Sequence, residues 1–159
     1  MKRSHPKKIL DLLYLRDLRI LEQYISPETI NMVDEDGYTL LWIAATALDL
    51  NINIVRLLLK HGADPNVRIR EGWTLLHFAA DQLQKELAAQ LLRAGCDPNA
   101  INDAGETPLS KVLFAFNPKK DLINLLLEHG ADPDAKHGGG ESAREIAIRT
   151  GQLDLFPSR

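Results

Sequence analysis

Three short segments decide the architecture of this chain: Gly62-Ala63-Asp64-Pro65-Asn66, Gly95-Cys96-Asp97-Pro98-Asn99 and Gly130-Ala131-Asp132-Pro133-Asp134. Each follows an apolar stretch rich in consecutive leucines, and each has another glycine ten residues after its first, at Gly72, Gly105 and Gly140. A glycine directly behind a leucine-rich helix supplies the left-handed conformation that ends it, and a proline three residues on prevents its resumption. Lys60-His61 and Glu128-His129 place a basic side chain at the negative helix end. Two residues after Gly37, Gly72, Gly105 and Gly140 stand Thr39, Thr74, Thr107 and Ser142, whose hydroxyls suit the cap of a new helix, and Pro108 takes the favoured first-turn position. Stop and start chemistry thus alternate at Gly-to-Gly spacings of 33 (62 to 95) and 35 (95 to 130), the period of stacked helical repeats.

The joint pattern, Gly-x-Thr-Pro-Leu-His-x-Ala-Ala followed by Leu-Leu-x-x-Gly-Ala-Asp, resembles that of ankyrin repeats. Thr74-Leu75-Leu76-His77-Phe78-Ala79-Ala80 is the nearest copy, with looser ones from Thr39 and Thr107. The resemblance is strong over residues 32–134; a tetratricopeptide array of similar period lacks the Gly-Ala-Asp turn. It implies an all-α solenoid of stacked helix-turn-helix units with β-hairpin fingers. The whole chain, 1–159, is then a single ankyrin-repeat domain: an N-terminal capping helix pair at 1–31, full repeats at 32–66, 67–99 and 100–134, and a truncated C-terminal capping repeat at 135–159. Ser26-Pro27-Glu28-Thr29-Ile30-Asn31 occupies the place of the turn without its residues. Leu153 to Phe156 is expected to begin a last outer helix that Pro157 stops. Two extra residues fall in the first and third repeats, near 48–51 and 116–119, between the paired helices. They either join the binding face or are tolerated loop variation.

Composition bounds the function. Of 159 residues, 45% are hydrophobic, 26% charged and 6% aromatic, ordinary usage for a soluble globular chain. One cysteine cannot form an internal disulfide, and no apolar run approaches the roughly 18 residues of a membrane span, so a cytoplasmic protein is expected. Lys2, Arg3, Lys7 and Lys8 carry +4 against a total of −3, which leaves −7 on residues 9–159 and disfavours nucleic acid as a partner. Chemical signatures dissolve on inspection. His137-Gly138-Gly139-Gly140 resembles a hydrolase oxyanion string, but no Gly-x-Ser-x-Gly elbow accompanies it. Asp34-Glu35-Asp36-Gly37 resembles part of a calcium loop, but Met32 and Ile43 fall where carboxylates are required. The histidines lack metal-ligand spacing, and Cys96 stands where Ala63 and Ala131 stand, as a core filler. No enzyme, no metal and no cofactor are expected.

The resemblance implies a protein-binding module that uses its fingertips and the concave side of its inner helices. The candidate partner-binding residues are Glu35, Asp36 and Tyr38; Arg70, Glu71 and Trp73; Asp103 and Glu106; Glu141, with Gly138 and Gly139 beside it; and, on the inner helices, Thr46, Asp81, Gln82, Phe114 and Arg149. Charges over 34–38, 68–73, 102–106 and 136–141 are −3, +1, −2 and 0, an acidic rim of −4. Tyr38, Trp73 and Phe114 stand where the pattern tolerates polar residues, so they are read as an aromatic stripe, whereas Trp42 replaces the motif histidine and is expected to be buried. The expected partner is a protein with a basic, partly apolar surface, met by a monomer. Size and acidity make the chain similar to immunity proteins that block a cognate bacterial toxin. The alternative is a regulatory or scaffolding ankyrin protein in signalling or host manipulation.

Overall fold

The computed structural model describes residues 17–135 and 140–157. The basic residues Lys2, Arg3, Lys7 and Lys8, the first helix of the expected N-terminal pair, and His137, Gly138 and Gly139 lie outside the described residues. The chain divides into two compact units, residues 1–67 and 68–159.

The first unit holds α1 (Leu18–Tyr24), α2 (Leu40–Thr46) and α3 (Ile52–Lys60), with α1 and α2 both packed on α3. Leu21, Leu40, Leu41 and Leu58 are fully buried there. The second unit holds α4 (Leu75–Asp81), α5 (Lys85–Arg93), α6 (Pro108–Phe114), α7 (Lys120–Glu128) and α8 (Ala143–Thr150). Within it α4 pairs with α5 and α6 with α7; the inner helices α4, α6 and α8 stack in order, as do the outer helices α5 and α7. Helices of seven to nine residues are too short to persist alone, so stacking of their leucine faces carries their stability.

Both ends of these helices follow from the chemistry of the sequence. Thr39, Thr74, Thr107 and Ser142 each accept the backbone N–H three residues on, at 3.2–3.4 Å. Behind the outer helices Gly62, Gly95 and Gly130 take φ of +87°, +88° and +92°. The next N–H, of Ala63, Cys96 or Ala131, then returns to Leu58, Leu91 or Leu126 at 3.0–3.1 Å, closing the helix, and its small side chain is buried. The shorter connection after α4 makes the same closure without glycine: Leu83 adopts φ +53° and Gln84 N–H bonds Ala79 O at 2.8 Å. A left-handed leucine costs about 1–2 kcal/mol. Where two residues are added, α2 and α6 leave instead through extended Ala47 and Ala115.

The expected β-hairpin fingers are not formed as ladders among the described residues. Each is a tight turn, closed by Asp34 N–H to Tyr38 O, Ile69 N–H to Trp73 O, and Asn102 N–H to Glu106 O at 2.9–3.0 Å, with one isolated bridge between Val33 and Thr39. In two of the three, side chains have taken the donors: Asp34 Oδ1 accepts from the N–H of Asp36 and Tyr38, and Asn102 Oδ1 from those of Ala104 and Glu106.

Within each unit an asparagine locks one outer turn to the place before it. Asn99 Nδ2 donates to Gly130 O and its Oδ1 accepts Asp132 N–H, both at 2.8 Å. Asn31 does the same to Gly62 O and Asp64 N–H, at 3.0 and 2.8 Å. Residues 26–31 were read as lacking the turn's residues, yet Asn31 stands six residues before Gly37, as Asn66 and Asn99 stand before Gly72 and Gly105, and keeps the function of that place. Asn99→Ala is expected to lower the unfolding free energy by about 1–2 kcal/mol for two lost hydrogen bonds, read as a shift in urea midpoint with unchanged slope.

At the last such place Asp134 instead receives Arg144 Nε at 2.6 Å and Nη2 at 3.2 Å, while the Arg144 guanidinium lies 5.4 Å from the ring centre of buried Phe156. Hydrogen bonding to Asp134 raises the Arg144 pKa above its ordinary value. The expected last outer helix is only a 3-10 turn, Leu153–Leu155, because Pro157 has no N–H with which to continue it.

Candidate partner-binding face

In the second unit the starts of α4 and α6 converge on one polar network. His77, fully buried, accepts Thr74 N–H on Nδ1 at 3.2 Å and presents Nε2 to Glu106 O at 3.0 Å, so the hydrogen belongs on Nε2. Burial holds its pKa below the ordinary 6.5, opposed by the carbonyl and carboxylate of Glu106. The Trp73 ring tilts against His77 at 6.0 Å between centres. Over Trp73, at 4.8 Å from its centre, sits Lys111 Nζ, which also lies 3.3 Å from Asp81 Oδ1 and 3.5 Å from Glu106 Oε2. Only 13% of the Lys111 side chain is exposed, so this cation is held by an aromatic face and two carboxylates together. Gln82 donates to Asp81 Oδ2, and Asn102 Nδ2 to Glu106 Oε2.

Trp73 is therefore half-buried and engaged within its own unit. Tyr38, in the first unit, is likewise half-buried, stacked on buried Trp42 at 6.1 Å with planes 25° apart. In both cases the aromatic after the finger glycine packs on the residue at the motif-histidine place. Phe114 differs: at the end of α6 it is 51% exposed. It lines a groove of about 210 Å³ with Ala104, Glu106, Ser110, Gly140 and Glu141. Arg149 grips Glu141 through both carboxylate oxygens at 2.8–3.0 Å. Thr46 donates its hydroxyl to Trp42 O, and Glu35, Asp36, Arg70, Glu71 and Asp103 are exposed.

The acidic candidates are thus partly neutralised from within: Glu106 of the rim and Asp81 of the inner helix by Lys111, and Glu141 of the rim by Arg149. Lys111 was not among the candidate residues. Its one signal is a cation at the motif place where Ile43 and Phe78 stand in the other repeats. Among the described residues no three His, Cys, Asp or Glu side chains are grouped to hold a metal ion, and no helix is long and apolar enough to cross a membrane.

Repeated capped helix pairs with small-residue turns define a helical repeat protein, and comparison with known proteins gives the family. A family model described as ankyrin repeats in three copies matches residues 12–102, and one for a single ankyrin repeat matches 104–138. The chain belongs to the ankyrin-repeat family and, as such, is a protein-protein interaction module. It is 31% identical to protein phosphatase 1 regulatory subunit 27 of Homo sapiens over 105 residues, 65% of this chain and 68% of that protein. To the Mus musculus protein it is 31% identical over 122 residues, 76% and 77% of the two chains. A putative ankyrin repeat protein of fowlpox virus is 37% identical over 97 residues, 60% of this chain and 16% of the viral one. These relatives are animal and viral, and they leave the likeness to bacterial immunity proteins without support.

Proposed function

We propose that the chain is a regulatory or scaffolding ankyrin protein, without catalytic activity of its own, that holds a partner protein on its inner-helix and fingertip surfaces. The observation that carries this is Phe114, a large aromatic left half in solvent at the end of an inner helix and beside a groove, where core packing does not need it. The network under Lys111 presents that surface on a rigid base. Exposed Glu35, Asp36, Glu71 and Asp103 suit a partner with a basic, partly apolar surface. The likeness to a phosphatase regulatory subunit favours regulation. Blocking a bacterial toxin is a narrower use of the same surface, and no observation favours it. A monomer of repeats 32–66, 67–99 and 100–134 in a reducing, cytoplasmic setting fits one buried cysteine.

The test is affinity capture from the native host, followed by measurement with the purified partner. Phe114→Ser is expected to weaken binding at least tenfold, about 1.4 kcal/mol, while leaving the thermal midpoint within a degree or two. Undiminished affinity in that variant sinks the proposal.

A further inference from the structure

In the first unit α2, its finger and the inserted loop enclose a second groove of about 490 Å³, lined by Tyr38, Trp42, Ile43, Ala47, Leu48 and Asp49. That volume lies in the range of roughly 300–1,000 Å³ typical of sites for small chemical groups. Its lining is of three kinds: the stacked pair Tyr38 and Trp42, the apolar Ile43 and Ala47, and Leu48 and Asp49 of the two-residue insertion, of which Leu48 stands fully in solvent and Asp49 is exposed. Residues 34–49 contain four carboxylates, at 34, 35, 36 and 49, and no Lys, Arg or His. Asp34 is turned inward to hold its own finger through the N–H groups of Asp36 and Tyr38, which leaves Glu35, Asp36 and Asp49 on the surface.

We infer that this groove is a docking site for an extended segment of a protein partner that inserts an arginine flanked by an aliphatic residue. Aromatic faces attract a guanidinium plane, more strongly where water is excluded, and the arginine stem is apolar enough to lie along Ile43 and Ala47. Asp49 at the lip meets the charged head, and Leu48 covers the flanking aliphatic side chain. An acidic or neutral segment would gain the apolar contact and none of the charge complementarity. The insertion is then what makes the site, since both Leu48 and Asp49 come from it. This inference rests on the partner-binding reading above and assigns to one groove the chemistry of the segment it takes.

The experiment uses the full chain, labelled with 15N, titrated with the peptide acetyl-Leu-Arg-Leu-Arg-Leu-amide and with the same peptide carrying Gln for Arg. The arginine peptide is expected to move the amide signals of Tyr38, Thr46 and Leu48 saturably, with an affinity at least tenfold above that of the glutamine peptide. Leu48→Ala and Asp49→Asn, both at exposed positions, are each expected to weaken it about fivefold or more without altering the thermal midpoint. Equal response to the two peptides, no saturation, or unaltered binding by both variants overturns the inference. With the natural partner in hand, binding that falls in Phe114→Ser but not in Leu48→Ala or Asp49→Asn leaves the proposed function standing and removes this site. Binding indifferent to all three removes both.

Discussion

His77→Leu is expected to lower the unfolding free energy by about 2–4 kcal/mol, although leucine fills nearly the same space and the corresponding place in the first unit is taken by the largely apolar Trp42. The reason is what the ring leaves behind: Thr74 N–H and Glu106 O, 32 residues apart, both lose their partner in a site closed to water, and an orphaned buried group costs about 1–3 kcal/mol. The pH dependence follows with a definite sign. Burial holds the folded His77 pKa below 6.5, so the unfolded chain binds a proton that the folded chain refuses. Stability from this source is complete above the unfolded value and drains away as pH falls below about 6.5 toward the folded pKa, at up to about 1.4 kcal/mol per unit. Urea midpoints at pH 7.5 and 5.5 should differ more for the natural chain than for His77→Leu. Equal differences would show that acid acts elsewhere.

Gly72→Ala is expected to cost about 2–4 kcal/mol, and Gly95→Ala in the same unit only about 1–2. Both glycines are left-handed, at φ +70° and +88°. Around Gly95 there is open space. A Cβ on Gly72 would stand 2.7 Å from Asp103 Oδ1, 3.1 Å from Asp103 N and 3.2 Å from Asn102 Cα. The carboxylate can swing aside, but the backbone is tied by Asp103 N–H to Glu71 O at 2.9 Å. One glycine therefore only ends a helix, while the other is also the seat of the next finger. Thermal unfolding of the two variants side by side decides this, and equal midpoints would sink it.

The helix pairs were legible because their ends are written locally: a hydroxyl residue marks where an inner helix begins and a glycine where the outer helix after it stops. Burial of Trp42 and Cys96 was legible for a related reason, since register against the other repeats shows which way a place faces. The polar network was not. Alignment reveals that Lys111 shares a place with Ile43 and Phe78, but not that a lysine stem can carry its charge over Trp73 to carboxylates on two other segments. Tyr38 and Trp73 were read as projecting because the pattern tolerates polar residues at their place, whereas each ring is half covered by the side chain four residues on. In the fingers at 34–38 and 102–106 Asp34 and Asn102 compete for the N–H groups a ladder would use, a competition set by side-chain rotamers that periodicity does not record.

The asparagine locks have a consequence for how such a chain can change length. Asn31 reaches Gly62 and Asn99 reaches Gly130, and each span contains a two-residue insertion without any loss of its hydrogen bonds. The interval from outer turn to finger glycine stays at ten residues from 62 to 72, 95 to 105 and 130 to 140. The join between inner and outer helix is thus where residues have been added while the locks and that interval remain constant. Evolution or a protein engineer can graft new loops at 47–51 or 115–119 and so rewrite what the molecule recognises, while the frame that holds them keeps its gauge.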